Sequence, residues 1–102
     1  MTVRRIDQLI ITASPGDAIT SMALTIRDHL RSRLASDVFA LTVLQSLSEE
    51  VLSIHRLRPD VPSAALVYHA SFGEPQVTHL LRQRRQRIAM IFHNITPPNF
   101  FE

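Results

Sequence analysis

The spacing of apolar residues changes several times along the chain, and each change marks an element. Ile6 to Ala13 holds the run Leu9-Ile10-Ile11, which suits a strand buried on both faces. Ser14-Pro15-Gly16-Asp17 breaks that run. From Ala18 the apolar residues Ile19, Met22, Ala23, Ile26, Leu30 and Leu34 fall on one face of a helix, with Asp17 as its N-cap. Arg27, Asp28, Arg31 and Arg33 mostly occupy the other faces.

Val38 to Leu44 reads as a second strand. Ser46 followed by Glu49 fits a capping box before a short helix through Leu52, and Ile54 to Leu57 fits a short strand. Pro59 and Pro62 mark a loop. Ala64 to Tyr68 is another buried strand, with His69 at its end. Ser71-Phe72-Gly73-Glu74 leads into a helix that starts at Pro75, a residue suited to the first helical position, with Val77, Leu80 and Leu81 as its apolar face. Ile88 to Phe92 is the last strand, followed by His93-Asn94 and the stop at Pro97-Pro98.

Strands that alternate with helices predict an α/β fold with a parallel sheet. Ligands of such sheets bind beyond the carboxyl ends of the strands. The segments Ser14–Asp17, His69–Glu74 and His93–Pro98 lie there, and in the common doubly wound order the first two flank the switch point.

Composition narrows the chemistry. There is no cysteine, hence no disulfide, cysteine-zinc site or thiol nucleophile. There is no lysine either, and all 11 basic residues are arginine, which excludes a P-loop lysine, a Schiff-base lysine and a Ser-Lys dyad. A net charge of +2 gives no indication of nucleic-acid binding. No run approaches the length of a membrane span, and Leu9-Ile10-Ile11 is too short for a signal-peptide core, so a cytoplasmic protein is expected.

Four groups of residues carry candidate chemistry. Pro15-Gly16-Asp17 opens a helix, where free N–H groups hold anions. Asp17 disfavours a phosphate there and suits a sugar or cyclitol hydroxyl; the plainer alternative is that it only caps the helix. His69 and His93 each end a predicted strand, which raises a shared site against two separately packed histidines. His29, His55 and His79 have no metal-ligand spacing, and no Asp-x-Asp pair exists, so no metal is expected. Arg82, Arg84, Arg85 and Arg87 cluster near a helix C-terminus, where they complement the helix dipole or attract an anionic surface. No G-x-G-x-x-G is present, so no dinucleotide cofactor is expected.

Three stretches resemble bacterial group 1 (family 4) glycosyltransferases. Ala13-Ser14-Pro15-Gly16-Asp17-Ala18-Ile19-Thr20, with Ile26-Arg27-Asp28-His29-Leu30-Arg31 behind it, is similar to their first loop and helix. Val67-Tyr68-His69-Ala70-Ser71-Phe72-Gly73-Glu74-Pro75 is similar to their strand-end histidine loop. Phe92-His93-Asn94-Ile95-Thr96-Pro97-Pro98-Asn99-Phe100-Phe101-Glu102 resembles a "YHN-T-P-FF" segment, with Phe92 in place of the tyrosine.

The resemblance implies an incomplete Rossmann-like parallel sheet with flanking helices. Residues 1–102 would form part of a GT-B N-terminal, acceptor-side domain, with the C-terminal donor domain absent. It implies a retaining transfer from a nucleotide-sugar to an acceptor without a bound metal, in a parent enzyme whose fragment is inactive alone. His69 takes the place of the family histidine that meets the donor sugar, Gly16 and Asp17 face the acceptor or donor phosphates, and Ser71, Gly73, Glu74, His93 and Asn94 line the cleft. Self-association of the fragment is expected, and peripheral contact with the inner membrane face is a further expectation. The alternative, from a different class, is a small non-enzymatic α/β module that self-associates or binds sugars.

Overall fold

The computed structural model describes residues 2–58, 60–71 and 74–93. Five parallel strands form one sheet: β1 (Arg5–Ala13), β2 (Val38–Val43), β3 (Val51–Ser53), β4 (Ala64–Ala70) and β5 (Arg87–Phe92). Their order is β3-β2-β1-β4-β5, so the direction of winding reverses between β1 and β4. Helix α1 (Ala18–Leu30) joins β1 to β2, and helix α2 (Pro75–Arg82) joins β4 to β5. This is the expected α/β architecture, a partial Rossmann-like fold.

The two helices cover opposite faces, because alternate residues of a strand point to opposite sides. Leu9, Phe39, Leu66 and Tyr68 form one cluster with Val77 of α2. Ile10, Ala13, Val38 and Ala40 form the other with Ala23 of α1. The run Leu9-Ile10 thus feeds both cores. Burial of each large side chain contributes roughly 2–3 kcal/mol before entropy is counted. Among the described residues β5 has no such cover: Met90 is 60% exposed and Phe92 71%.

Several local expectations are corrected. The capping box at Ser46 and Glu49 yields no helix through Leu52; a 3-10 helix over Gln45–Leu47 is followed by β3. Pairing of Val51 with Val38, and the complete burial of Val51, outweigh the local capping signal. Ile54–Arg56 is a 3-10 helix instead of a strand, and it carries Ile54 into the core. α1 ends at Leu30, short of Leu34, and its buried residues are Thr20, Ala23 and Arg27, while Met22 is exposed. Arg27 is tolerated there because its guanidinium donates to the Glu50 carbonyl at 3.1 Å and to the Asp28 carboxylate at 2.8 Å, tying α1 to the start of β3. β4 runs one residue past the expected end at His69, through Ala70. Among the described residues, no helix is long and apolar enough to cross a membrane.

Candidate functional site

The carboxyl edge of the sheet begins with the β1–α1 turn. Pro15 and Gly16 occupy the two centre positions of a turn in which the Asp17 N–H reaches the Ser14 carbonyl at 3.3 Å. Gly16 has φ +77°, which a side chain disfavours and a Pro-Gly turn of this pattern requires. The turn delivers Asp17 as the N-cap of α1. Its Oδ2 accepts from the Thr20 N–H at 2.8 Å and from the Thr20 hydroxyl at 2.9 Å. The capping role read from the sequence is therefore present, and it engages one carboxylate oxygen.

β4 lies beside β1 and delivers His69, Ser71 and, at the start of α2, Glu74 to the same edge. Glu74 caps α2, accepting from the Gln76 N–H at 2.7 Å. Pro75 stands at the first helical position, as expected. Gly73 and Asn94 lie outside the described residues, as does most of the His93–Pro98 segment. His93 is placed by its own N–H, which donates to the Ala70 carbonyl at 2.7 Å and extends the β4–β5 pairing by one residue.

The histidines meet. His69 Nδ1 and His93 Nε2 are 2.9 Å apart, and the ring centroids are 5.1 Å apart with 25° between the planes. His69 Nε2 lies 2.7 Å from Gln8 Oε1, and the Gln8 amide nitrogen donates to the Ala23 carbonyl of α1 at 2.7 Å. Gln8 is fully buried and His69 is 1% exposed, so each needs these partners. Burial, with the nearby His93 adding to it, pulls the His69 pKa down from 6.5 to about 4, so this ring is neutral at physiological pH.

Sequence reasoning picked out both histidines but missed Gln8. The available signal was a lone amide residue next to Leu9 in a strand expected to be buried on both faces.

The arginines near α2 lie at the opposite edge. Arg84 donates to the Arg58 carbonyl and to Gln86, and the Asp60 carboxylate accepts from the Arg85 and Gln86 N–H groups at 2.6 and 2.7 Å. Those two backbone bonds fix the turn into β5 and hold the Asp60 carboxyl below its ordinary range. The side chains of Arg82, Arg85 and Arg87 are exposed. Among the described residues, no three metal-ligating side chains come together. Comparison with known protein families, curated proteins and solved structures gives no significant match.

Proposed function

We propose that the chain is the acceptor-side part of a retaining GT-B glycosyltransferase, which moves a sugar from a nucleotide-sugar to an acceptor, and that this part alone is inactive. The observation that carries the reading is the meeting of family-like segments at the reversal of strand order. Asp17 follows β1, while His69, Ser71 and Glu74 belong to β4 and its loop, and these two strands are paired. Open parallel sheets bind ligands at this position. The groups gathered there are carboxylates, a hydroxyl and His93, backed by a His69 ring that is buried and neutral. That set suits the hydroxyl groups of a neutral sugar or cyclitol better than a phosphate.

Amide-resolved NMR titration tests the reading. Monosaccharides and cyclitols should bind weakly and perturb Asp17, Ser71, Glu74 and His93, and sugar nucleotides should bind no more tightly because their main contacts lie elsewhere. Sub-micromolar binding of a sugar nucleotide to this chain, or perturbations confined to the amino edge of the sheet, would overturn it.

A second reading draws on β5. Its outer edge has no strand beside it among the described residues, and Ile88, Met90, Ile91 and Phe92 are exposed. Such an edge recruits other chains, so a self-associating module is the runner-up. Light scattering that showed only a monomer at micromolar concentration would remove it.

A further inference from the structure

Gln8, His69 and His93 form a diagonal across the face of the sheet that α1 covers. Gln8 is paired in register with Val67, and His69 is two residues beyond Val67 on the same face. His69 is paired with Ile91, and His93 is two residues beyond Ile91 on the same face. Each step moves one strand sideways and about 6–7 Å toward the carboxyl edge.

The direction of every hydrogen bond in this line follows from its first member. A backbone carbonyl only accepts, so the Gln8 atom beside the Ala23 carbonyl must be the amide nitrogen. Oε1 then faces His69, and His69 Nε2 must carry its proton to meet it. A neutral ring protonated at Nε2 has a lone pair at Nδ1, so His93 Nε2 must donate across the 2.9 Å contact. His93, when neutral, is left with a bare Nδ1. No described residue bonds that nitrogen, and His93 is the one member of the line that is neither an inner-strand residue nor fully buried.

We infer that His93 Nδ1 is the hydrogen-bond acceptor offered to a ligand at the carboxyl edge, and that Gln8 and His69 are positioning residues that fix its tautomer. The line ends in a carbonyl that has no proton to give, so it orients His93 and does not shuttle protons. The ligand group it selects is a donor, a hydroxyl or an N–H, and a carbonyl or ether oxygen at the same place is rejected. The inference rests on the bond directions alone and stands or falls separately from the sugar-transfer reading.

Nitrogen-15 NMR of the imidazole rings near pH 8 tests it. The expected result is a protonated Nε2 and a bare Nδ1 on both rings, with a coupling transmitted across the hydrogen bond between His93 Nε2 and His69 Nδ1 and the bridging proton on His93. A bridging proton on His69, or no coupling together with averaged His93 shifts, would overturn the assignment. Gln8→Met keeps the side-chain length and removes the acceptor. In that variant His69 is free to reverse, and His93 Nδ1 should become partly protonated. Unchanged His93 shifts in folded Gln8→Met would show that Gln8 positions nothing. Should that variant not fold, the wild-type coupling still decides the direction of the bridge.

Discussion

Asp7 and Gln8 are consecutive in β1 and both are buried, yet they serve networks of opposite character. Asp7 belongs to the amino edge of the sheet. It accepts from Arg5 at 2.8 Å and from the Asp37 N–H at 3.0 Å, and Asp37 in turn accepts from Arg5, Arg31 and Arg58 at 2.7–2.9 Å. Gln8 belongs to the line that climbs to the carboxyl edge, where Gln8 and His69 each have one partner on each side and His93 ends the line. The amino edge is charged, partly exposed and redundant. The carboxyl-edge line is uncharged at His69, buried at Gln8 and His69, and serial. A redundant charged cluster tolerates the loss of a member because water and the remaining ions substitute. A serial buried line does not, since each loss leaves a polar group with nothing to replace its partner.

The largest expected effect therefore comes from Gln8→Ala. It orphans the His69 Nε2–H and opens a cavity between β1 and α1, and should cost about 3–4 kcal/mol of stability. Urea unfolding of the variant against the wild type measures it. A loss below about 1 kcal/mol would mean that water enters and replaces the amide, and the contrast between the two edges would disappear.

Next is the response to acid. The His69 pKa is lowered from 6.5 to about 4 by burial and by His93. Below pH 6.5 the unfolded chain binds a proton that the folded chain refuses until about pH 4, so stability falls as pH falls through that window. The loss from this one group should reach about 3 kcal/mol at the acid end. Asp37 behaves differently. Burial raises its pKa, but hydrogen bonds from Arg58, Arg5 and Arg31 and the charge of Arg5 prevail and hold it below 3.8. Its contribution is intact above that value and is lost only as pH falls further. The two edges should thus weaken in succession, the histidine line first. Unfolding measured from pH 7.5 to pH 3 in the wild type and in His69→Gln resolves them: the upper window should flatten in the variant. Equal slopes between pH 6.5 and 4 would show that His69 takes up its proton in the folded state as readily as in the unfolded one.

The same contrast explains what the sequence made legible. Period and punctuation located β1, α1, β2, β4, α2 and β5, because each carries an apolar pattern of strand or helix period, and Pro15-Gly16-Asp17, Asp37, Pro62 and Pro75 mark where most of them begin or end. β3 was not legible: it is three residues long, and its reason to be extended is its pairing with β2, a contact remote in sequence from Ser46 and Glu49. Of the site, the capping Asp17 and the two histidines were legible as residue types at element ends. Their connection was not, because it depends on register. His69 was legible as the end of its strand, but that it shares a face with Gln8 follows only from the register of β1 with β4. Arg27 was misplaced for a related reason: a helix face drawn through apolar residues leaves out an arginine that is buried by its bonds to Asp28 and Glu50.

A smaller effect is expected at Asp37 itself. Asp37→Ala removes the acceptor shared by three arginines, but the side chain is partly exposed, and Arg5 keeps Asp7 as a partner. The cost should be about 1 kcal/mol and should shrink in high salt, because exposed charge pairs are screened. Gln8→Ala should show no such salt dependence, which separates the two edges by a measurement independent of magnitude.

The smallest effect should come from Arg58→Ala. Arg58 donates to Asp37 Oδ2 at 2.7 Å, the shortest contact in the cluster, and distance alone would rank it as the strongest. The arrangement argues otherwise. Asp37 Oδ2 also accepts from Arg5 at 2.9 Å, and Oδ1 is held by Arg31 at 2.9 Å, so the carboxylate remains paired when Arg58 is gone. The Arg58 side chain is itself 44% exposed, so it returns to water at little cost. Its backbone carbonyl, which accepts from Arg84, is untouched by the substitution. The expected loss is about 0.5 kcal/mol or less. A double-mutant cycle with Asp37→Ala isolates the pair from the rest of the cluster. A coupling above about 1.5 kcal/mol would show that Asp37 depends on Arg58 in particular, and that the amino edge is as serial as the histidine line.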